Sequence, residues 1–217
     1  MILRIAKIVV APRHADRIPR EYHAYSETWA RRQPGCLAVR LLRDIGMPNK
    51  YFLVSYWADE PQMLAAVKGA TFADILDEAR REFLERLSVS VCRVVDADPR
   101  PLLPARRGEV VSRLVKLTVR PGQEEDMLAD YHRITDAFSR RQDGCLRVQL
   151  FEDRQTPNVY YLQSYWRDLA ALRRVMSAPA YEGLRTDTRH YFEERMREWL
   201  LDIVEDDPRL PVYEAVD

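Results

Sequence analysis

Glycine is scarce, with seven in 217 residues. No Walker loop, no dinucleotide-binding glycine pattern and no Ser-His-Asp motif context occurs, so backbone cradles for phosphate are not expected. Neither sign of charge is in excess. Thirty-four Lys and Arg balance thirty-four Asp and Glu, which leaves no electrostatic footprint of a nucleic-acid or anionic-membrane partner. The arginines are interleaved with acids, as in RREFLER and HYFEERMRE, the pattern of solvated helix faces. No run of about 18 apolar residues is present, which excludes a transmembrane helix. The opening MILRIAKIVVAP is broken by Arg4 and Lys7 and alternates as a strand does, unlike a signal peptide. Cysteine is limited to Cys36, Cys92 and Cys145, without metal-ligand spacing and with one left over from any pairing. Reduced thiols in a cytoplasmic protein are the simplest reading.

What the chain does contain is a copy of itself. Shifted by 109 residues it aligns end to end without a gap, and about thirty of 108 positions are identical. QPGCLAVRLLRDIGMPNKYFLVSYWAD, residues 33–59, meets QDGCLRVQLFEDRQTPNVYYLQSYWRD, residues 142–168. Arg4 and Lys7 meet Arg113 and Lys116, Tyr22-His23 meets Tyr131-His132, and Asp98-Pro99-Arg100 meets Asp207-Pro208-Arg209. A period this long marks a duplicated domain, not a solenoid. The expected organisation is one domain over 1–98, a Pro- and Arg-rich linker over 99–109, and a second domain over 110–217.

Within the first half, Ile2 to Val10 alternates as a strand and Pro12 ends it. Ile18, Tyr22, Tyr25 and Trp29 recur at helical spacing over 16–32, and Gly35 suits the left-handed residue that stops a helix. Cys36 to Asp44 is a strand, Pro48-Asn49 a turn, and Tyr51 to Trp57 a strand apolar on both faces and therefore central. A helical turn is expected over 61–68. A longer helix follows, carrying Phe72, Ile75, Leu76, Ala79, Phe83 and Leu87, and then a last strand, Val89 to Val95. Each half thus reads β-α-β-β-α-β, a ferredoxin-like order in the α+β class. The open face of each antiparallel sheet needs a cover, and the other copy supplies it. The expected assembly is an intramolecular pseudo-dimer, with room for a further homodimer.

The helix followed by Pro-Gly-Cys-Leu, a strand, a Pro-Asn turn, an aromatic strand ending Ser-Tyr-Trp, an acid and an amphipathic helix resembles the antibiotic biosynthesis monooxygenase family of the dimeric α+β barrel superfamily. The resemblance covers nearly all of both halves. It implies two antiparallel sheets packed as an intramolecular dimeric α+β barrel, with a cavity between sheet and helices in each half. It also implies an oxygenase of a small electron-rich aromatic, quinol-, anthrone- or polyketide-like, using O2 with no organic cofactor and no metal. In that chemistry an acidic phenol or anthrone ionises, and the anion itself reduces oxygen. A non-catalytic small-molecule-binding protein on the same fold stays open as an alternative. Haem-degrading relatives ligate iron through a His on the second long helix. Here His190 lies there, but Arg81 takes the aligned place in the first half, which counts against two haem sites and leaves a one-site haem-binding or haem-degrading protein as a further alternative.

Candidate site residues follow from the two copies. Trp57 and Trp166 could line a pocket or pack in the core. Asn49 and Asn158 resemble an oxyanion-holding residue of cofactor-free relatives, and equally fit a turn. His23 and His132 each precede an acid by four residues, Glu27 and Asp136, which suits either an oriented general base or a surface ion pair. Tyr22 and Tyr131 lie on the buried helix stripe and could present hydroxyls to a substrate or be core tyrosines. Arg40, Arg147 and Gln149 share the strand face opposite the leucines, where an acidic substrate or an ion pair between halves could hold them. Where Val54 meets Gln163 and Ala38 meets Arg147, the C-terminal half is the more polar. That half is expected to hold the more polar site, or one half alone to work.

Overall fold

Alternation along each strand puts one set of side chains inside a barrel and the other under helices. The computed structural model describes residues 1–96, 98, 100 and 108–207, with the side chains of all of these but Asp136 and Ala137. The described residues form eight strands: β1 (Ile2–Val10), β2 (Cys36–Asp44), β3 (Lys50–Trp57), β4 (Leu84–Asp96), β5 (Val111–Thr118), β6 (Cys145–Asp153), β7 (Val159–Trp166) and β8 (Arg197–Glu205). The helices are α1 (Ile18–Thr28), α2 (Glu60–Val67), α3 (Ala70–Glu82), α4 (Glu124–Ala137), α5 (Leu169–Met176) and α6 (Pro179–Thr188). No described helix is long and apolar enough to cross a membrane. The expected linker, 99–109, lies outside the described residues apart from Arg100, Gly108 and Glu109.

The strands close into one antiparallel barrel in the order β1-β3-β2-β8-β5-β7-β6-β4. Each half contributes a ferredoxin-like sheet, β4-β1-β3-β2 and its copy β8-β5-β7-β6. The halves meet at two seams. β2 pairs with β8, Leu42 opposite Ile203 and Asp44 opposite Leu201. β4 pairs with β6, Phe151 opposite Val94 and Asp153 opposite Cys92. Adding 109 to each β2 residue and subtracting 109 from its β8 partner gives the β6–β4 pairs, so one pseudo-two-fold relates the seams. Closure pairs the outer strands of each half with those of the other over Leu41–Asp44 and Cys92–Asp96.

Leu3, Ile5, Phe52, Val54 and Tyr56 point into the barrel, where they meet Leu114, Phe151, Tyr165 and Leu201 of the other half. Their strand neighbours Tyr51, Trp57, Val39 and Leu41 face the helices and pack with Ile18, Tyr22 and Met63. Burying such side chains on both faces supplies the main driving force, about 1.5–3 kcal/mol for each large aliphatic residue.

Several element boundaries differ from expectation. The first helix is confined to Ile18–Thr28, with 3-10 turns over Pro12–Arg17 and Ala30–Arg32. Pro19 suits the first turn, where no amide donor is needed. The short segment after Asp59 is a full helix, whose Gln62 amide donates to the Asp59 carboxylate at 2.9 Å. β4 starts at Leu84, not Val89, because Leu87 and Arg86 find ladder partners in Ile8 and Val9. Gly35 has φ +74, and a Cβ there would sit 2.1 Å from Gln62 Oε1, so both backbone and space require glycine.

Beyond the ladders each seam is extended by a buried carboxylate. Asp207 accepts from the Val39 amide at 3.0 Å, and Asp98 accepts from the Val148 amide at 2.8 Å. Burial pushes the Asp98 carboxyl up, but its bonds to Arg100 and to the Val148 and Arg100 amides outweigh this and hold it below the usual carboxylate range. A lowered folded pKa means stability that is complete above the unfolded value of about 3.9 and lost as pH falls through the folded value. Asp98→Asn is expected to cost about 2 kcal/mol at pH 7. Urea unfolding at pH 7 and in acid should show variant and wild type converging as the pH drops.

Candidate functional site

The helix-facing side of each sheet is not completely filled. In the N-terminal half a cavity of about 160 Å³ lies between β1 to β3 and helices α1 and α3. Its walls include Leu53, Tyr25 and Phe72, and its polar groups are Arg4, Tyr22, Glu21 and Glu78. The C-terminal half has the corresponding cavity, about 130 Å³, bounded by Arg113, Tyr131, Tyr181, Tyr191 and Leu162. Both are concave, largely apolar and furnished with a few polar groups, the usual character of a small-molecule site.

Alternation of β1 turns Arg4 toward the helices beside Ala6 and Ile8. Arg4 is 6% exposed. Its guanidinium lies 5.5 Å from the centre of the Phe72 ring. It has no hydrogen bond or ion pair among the described residues. Burial lowers its pKa, and the nearby Tyr25 partly opposes this. Tyr22, on α1, is also buried, and its hydroxyl has no hydrogen-bond partner. Burial, reinforced by Glu205, drives its pKa well up, so the hydroxyl stays protonated and able to donate.

Of the residues singled out from the sequence, Tyr22 and Tyr131 line the two cavities. The Tyr131 hydroxyl donates to Asp96 at 3.0 Å. The others lie elsewhere. Trp57 packs under α2 with Met63 and Cys36, its indole N–H donating to Ser55 Oγ at 2.9 Å. Trp166 repeats this with Ser164 at 2.9 Å. Asn49 donates from its side chain to the Val10 carbonyl at 2.8 Å, and Asn158 takes a left-handed φ of 59 in the equivalent turn. An extended strand separates each Asn from its Trp by roughly 25 Å, so they cannot serve one site. His23 is exposed and its Nδ1 is 3.0 Å from Glu205, while Glu27 bonds Arg31 instead. His132 is exposed and lies 3.8 Å from Asp96; the side chain of Asp136 lies outside the described residues. His190 lines neither cavity, and its Nδ1 is 2.7 Å from the Asp187 carbonyl.

Arg40, Arg147 and Gln149 face the barrel interior, with 1%, 2% and 0% exposure. Arg40 makes two bonds to Asp206, at 2.5 and 2.6 Å, and lies over the Tyr165 ring at 4.9 Å. Arg147 donates to the Arg100 carbonyl at 2.6 Å. The ion-pair reading therefore describes Arg40. The differences at Val54/Gln163 and Ala38/Arg147 likewise fall inside the barrel, where Gln163 donates to Ser112 Oγ at 3.3 Å. The C-terminal cavity does have the more polar lining, as expected of that half, but through Asp130, Thr135, Ser139, Arg185 and Thr188 and not through these positions. Arg4, Phe72 and Tyr25 were not singled out, although an arginine matched in both halves on the face shared with Ala6 and Ile8 was a visible signal.

Two ferredoxin-like halves closing one barrel, with a helix–sheet cavity in each, define a tandem α+β barrel protein. The family model for antibiotic biosynthesis monooxygenase matches residues 1–78 and again 110–186. The chain belongs to that family. Among curated proteins none matches the sequence. Solved structures share the whole architecture. A Fusobacterium nucleatum protein named "putative monooxygenase" superposes with a TM-score of 0.80 at 15% identity, covering 98% of this chain and 96% of that one. A Lactobacillus acidophilus protein of the same name gives 0.72 at 13%, with 98% of both chains covered. An anthrone oxidase-like protein gives 0.74 at 11%, covering 99% and 96%. At these identities the likeness is one of fold.

His23→Ala and His132→Ala, both on the exposed surface, are each expected to shift stability by less than about 1 kcal/mol. Trp57→Phe, which leaves Ser55 Oγ without its donor and opens a void, is expected to cost about 2 kcal/mol. Denaturant unfolding of the three variants checks the contrast.

Proposed function

We propose that the protein oxidises a small electron-rich aromatic of the quinol, anthrone or polyketide-like kind with O2, in a helix–sheet cavity and without organic cofactor or metal. The observations that support this most are that Arg4, buried and with no hydrogen bond or ion pair among the described residues, and Tyr22, whose hydroxyl has no hydrogen-bond partner, both line an apolar cavity in a chain of this family. An ionised phenol or anthrone is an electron-rich anion. A guanidinium and a neutral hydroxyl facing it would favour the ionised form and so promote loss of its proton. The anion then reduces oxygen. In the balanced reaction a ring CH2 and O2 give a ring carbonyl and water, the substrate supplying every electron that oxygen accepts. Apolar walls would exclude water from the reactive carbanion and radical.

A binding protein without turnover is favoured by one observation: neither His23 nor His132 reaches a cavity. We further infer a cytoplasmic location, supported by three cysteines that are all buried as thiols; cell fractionation checks it.

Oxygen-electrode assays with a panel of anthrones and dihydroxynaphthalenes are expected to show uptake matched to quinone formation. Tyr22→Phe is expected to lower kcat/KM roughly tenfold, the worth of about one charge-assisted hydrogen bond. Thermal stabilisation by these compounds with no oxygen uptake from any of them would favour the binding protein instead.

A further inference from the structure

The two cavities share a frame but differ in charge. Arg4 and Arg113 are aligned, and each lies over an aligned aromatic ring, Phe72 at 5.5 Å and Tyr181 at 5.6 Å. In the C-terminal half the guanidinium is satisfied from within. Arg113 bonds Glu198 at 2.5 Å and the Tyr181 hydroxyl at 2.5 Å. In the N-terminal half both partners are missing, because Val89 stands where Glu198 stands and Phe72 lacks the hydroxyl of Tyr181. The geometry for the carboxylate is nonetheless the same. Glu198 is opposite Val115, two residues along from Arg113, and Val89 is opposite Ala6, two residues along from Arg4.

The tyrosines diverge in the same sense. Tyr131 has Asp96 as acceptor, whereas the aligned Tyr22 hydroxyl has none. The carboxylates at the N-terminal cavity do not compensate. Glu21 is bonded to Arg17 at 2.7 Å, Glu78 is exposed, and neither forms an ion pair with Arg4. A buried guanidinium without an anion is costly, and the cost is removed when an anion arrives.

We infer that the N-terminal cavity is the ligand site of this protein, that its ligand is a flat aromatic anion held by Arg4 and Tyr22, and that the C-terminal cavity has been closed to such ligands by its own Glu198 and Tyr181. The anionic group can be a phenolate, an enolate or a carboxylate, since each offers the oxygen acceptor that both donors lack. Phe72 and Tyr25 supply the apolar and aromatic walls. This names the substrate class of the site proposed above and rests on that reading for its chemistry, but not for its binding.

The test is isothermal titration with 2-naphthoate and its neutral counterpart 2-naphthamide. Wild type is expected to bind one naphthoate per chain, at least tenfold tighter than the amide. Arg4→Met should abolish the preference, and Val89→Glu, which installs the partner found in the other half, should weaken naphthoate by a similar factor. Glu198→Val with Tyr181→Phe should raise the stoichiometry from one to two. Circular dichroism checks folding, and Val89→Glu carries the test if Arg4→Met does not fold. Two naphthoates bound to wild type, equal affinity for acid and amide, or an unchanged preference in both Arg4→Met and Val89→Glu would overturn the inference. Oxygen uptake undiminished in Arg4→Met would overturn it while leaving the oxygenase reading intact. One-site naphthoate binding without oxygen uptake from any panel compound supports it and removes the oxygenase reading.

Discussion

Everything in this structure depends on the two seams at which the halves pair edge to edge. A four-stranded sheet with helices on one face leaves its other face bare and its outer strands unpaired. Pairing β2 with β8 and β4 with β6 resolves both problems, since it converts two bare faces into one closed interior. Asp98 and Asp207 then carry the pairing past the last ladder bonds, by giving the Val148 and Val39 amides an acceptor where the partner strand has ended. Without closure Phe52, Val54, Phe151 and Tyr165 would lose their packing partners in the other half. The cavities on the outer faces depend on this as well, because the strands that position Arg4 and Arg113 are held in register from the barrel side.

One buried charge pair differs between the two halves as a set. Arg40 has Asp206 in the barrel interior. At the aligned places the chain has Gln149 and Ala97, so cation and anion are both absent. On the helix side the charge pair differs in one partner alone. Arg113 has Glu198, but Arg4 has been retained without its acid. A buried charge whose partner is missing is expensive in a folded protein. That difference leaves the N-terminal cavity with a cation free to meet an anion from solution.

Much of the fold could be read from the chain, because period-two alternation, helical stripes and a 109-residue self-match are local signals. The site was less legible, for identifiable reasons. Both faces of the strands are apolar, so alternation alone does not say which face meets helices and which meets the barrel interior. Arg40, Arg147 and Gln149 therefore stayed open to an acidic substrate or to an ion pair between the halves, and closure, which buries them inside, decides for the ion pair at Arg40. His23 sits one position from Tyr22, and on a helix one position is enough to turn a side chain from cavity to solvent. The separation of Asn49 from Trp57 along a single strand was, by contrast, visible in the spacing. The state of Arg4 was not. That it lacks an acid depends on which residues lie across β1 from β4, and only the register supplies this.

Tyr56 and Tyr165 are the same residue in the two copies, and their hydroxyls meet at 3.2 Å inside the barrel. A hydrogen bond between two identical hydroxyls has one donor and one acceptor, so a true two-fold axis could not run through it for the protons. In a dimer of identical chains the two arrangements would be equal in energy, and the proton would be shared between them as static or dynamic disorder. Here Arg40 lies over the Tyr165 ring, while Gln149 occupies the aligned place in the second half. The hydroxyls are chemically inequivalent, so the two orientations of their hydrogen bond are no longer equal in energy. Duplication has thus given the centre of the barrel a polarity, a left and a right, that no symmetric assembly of a single half could possess.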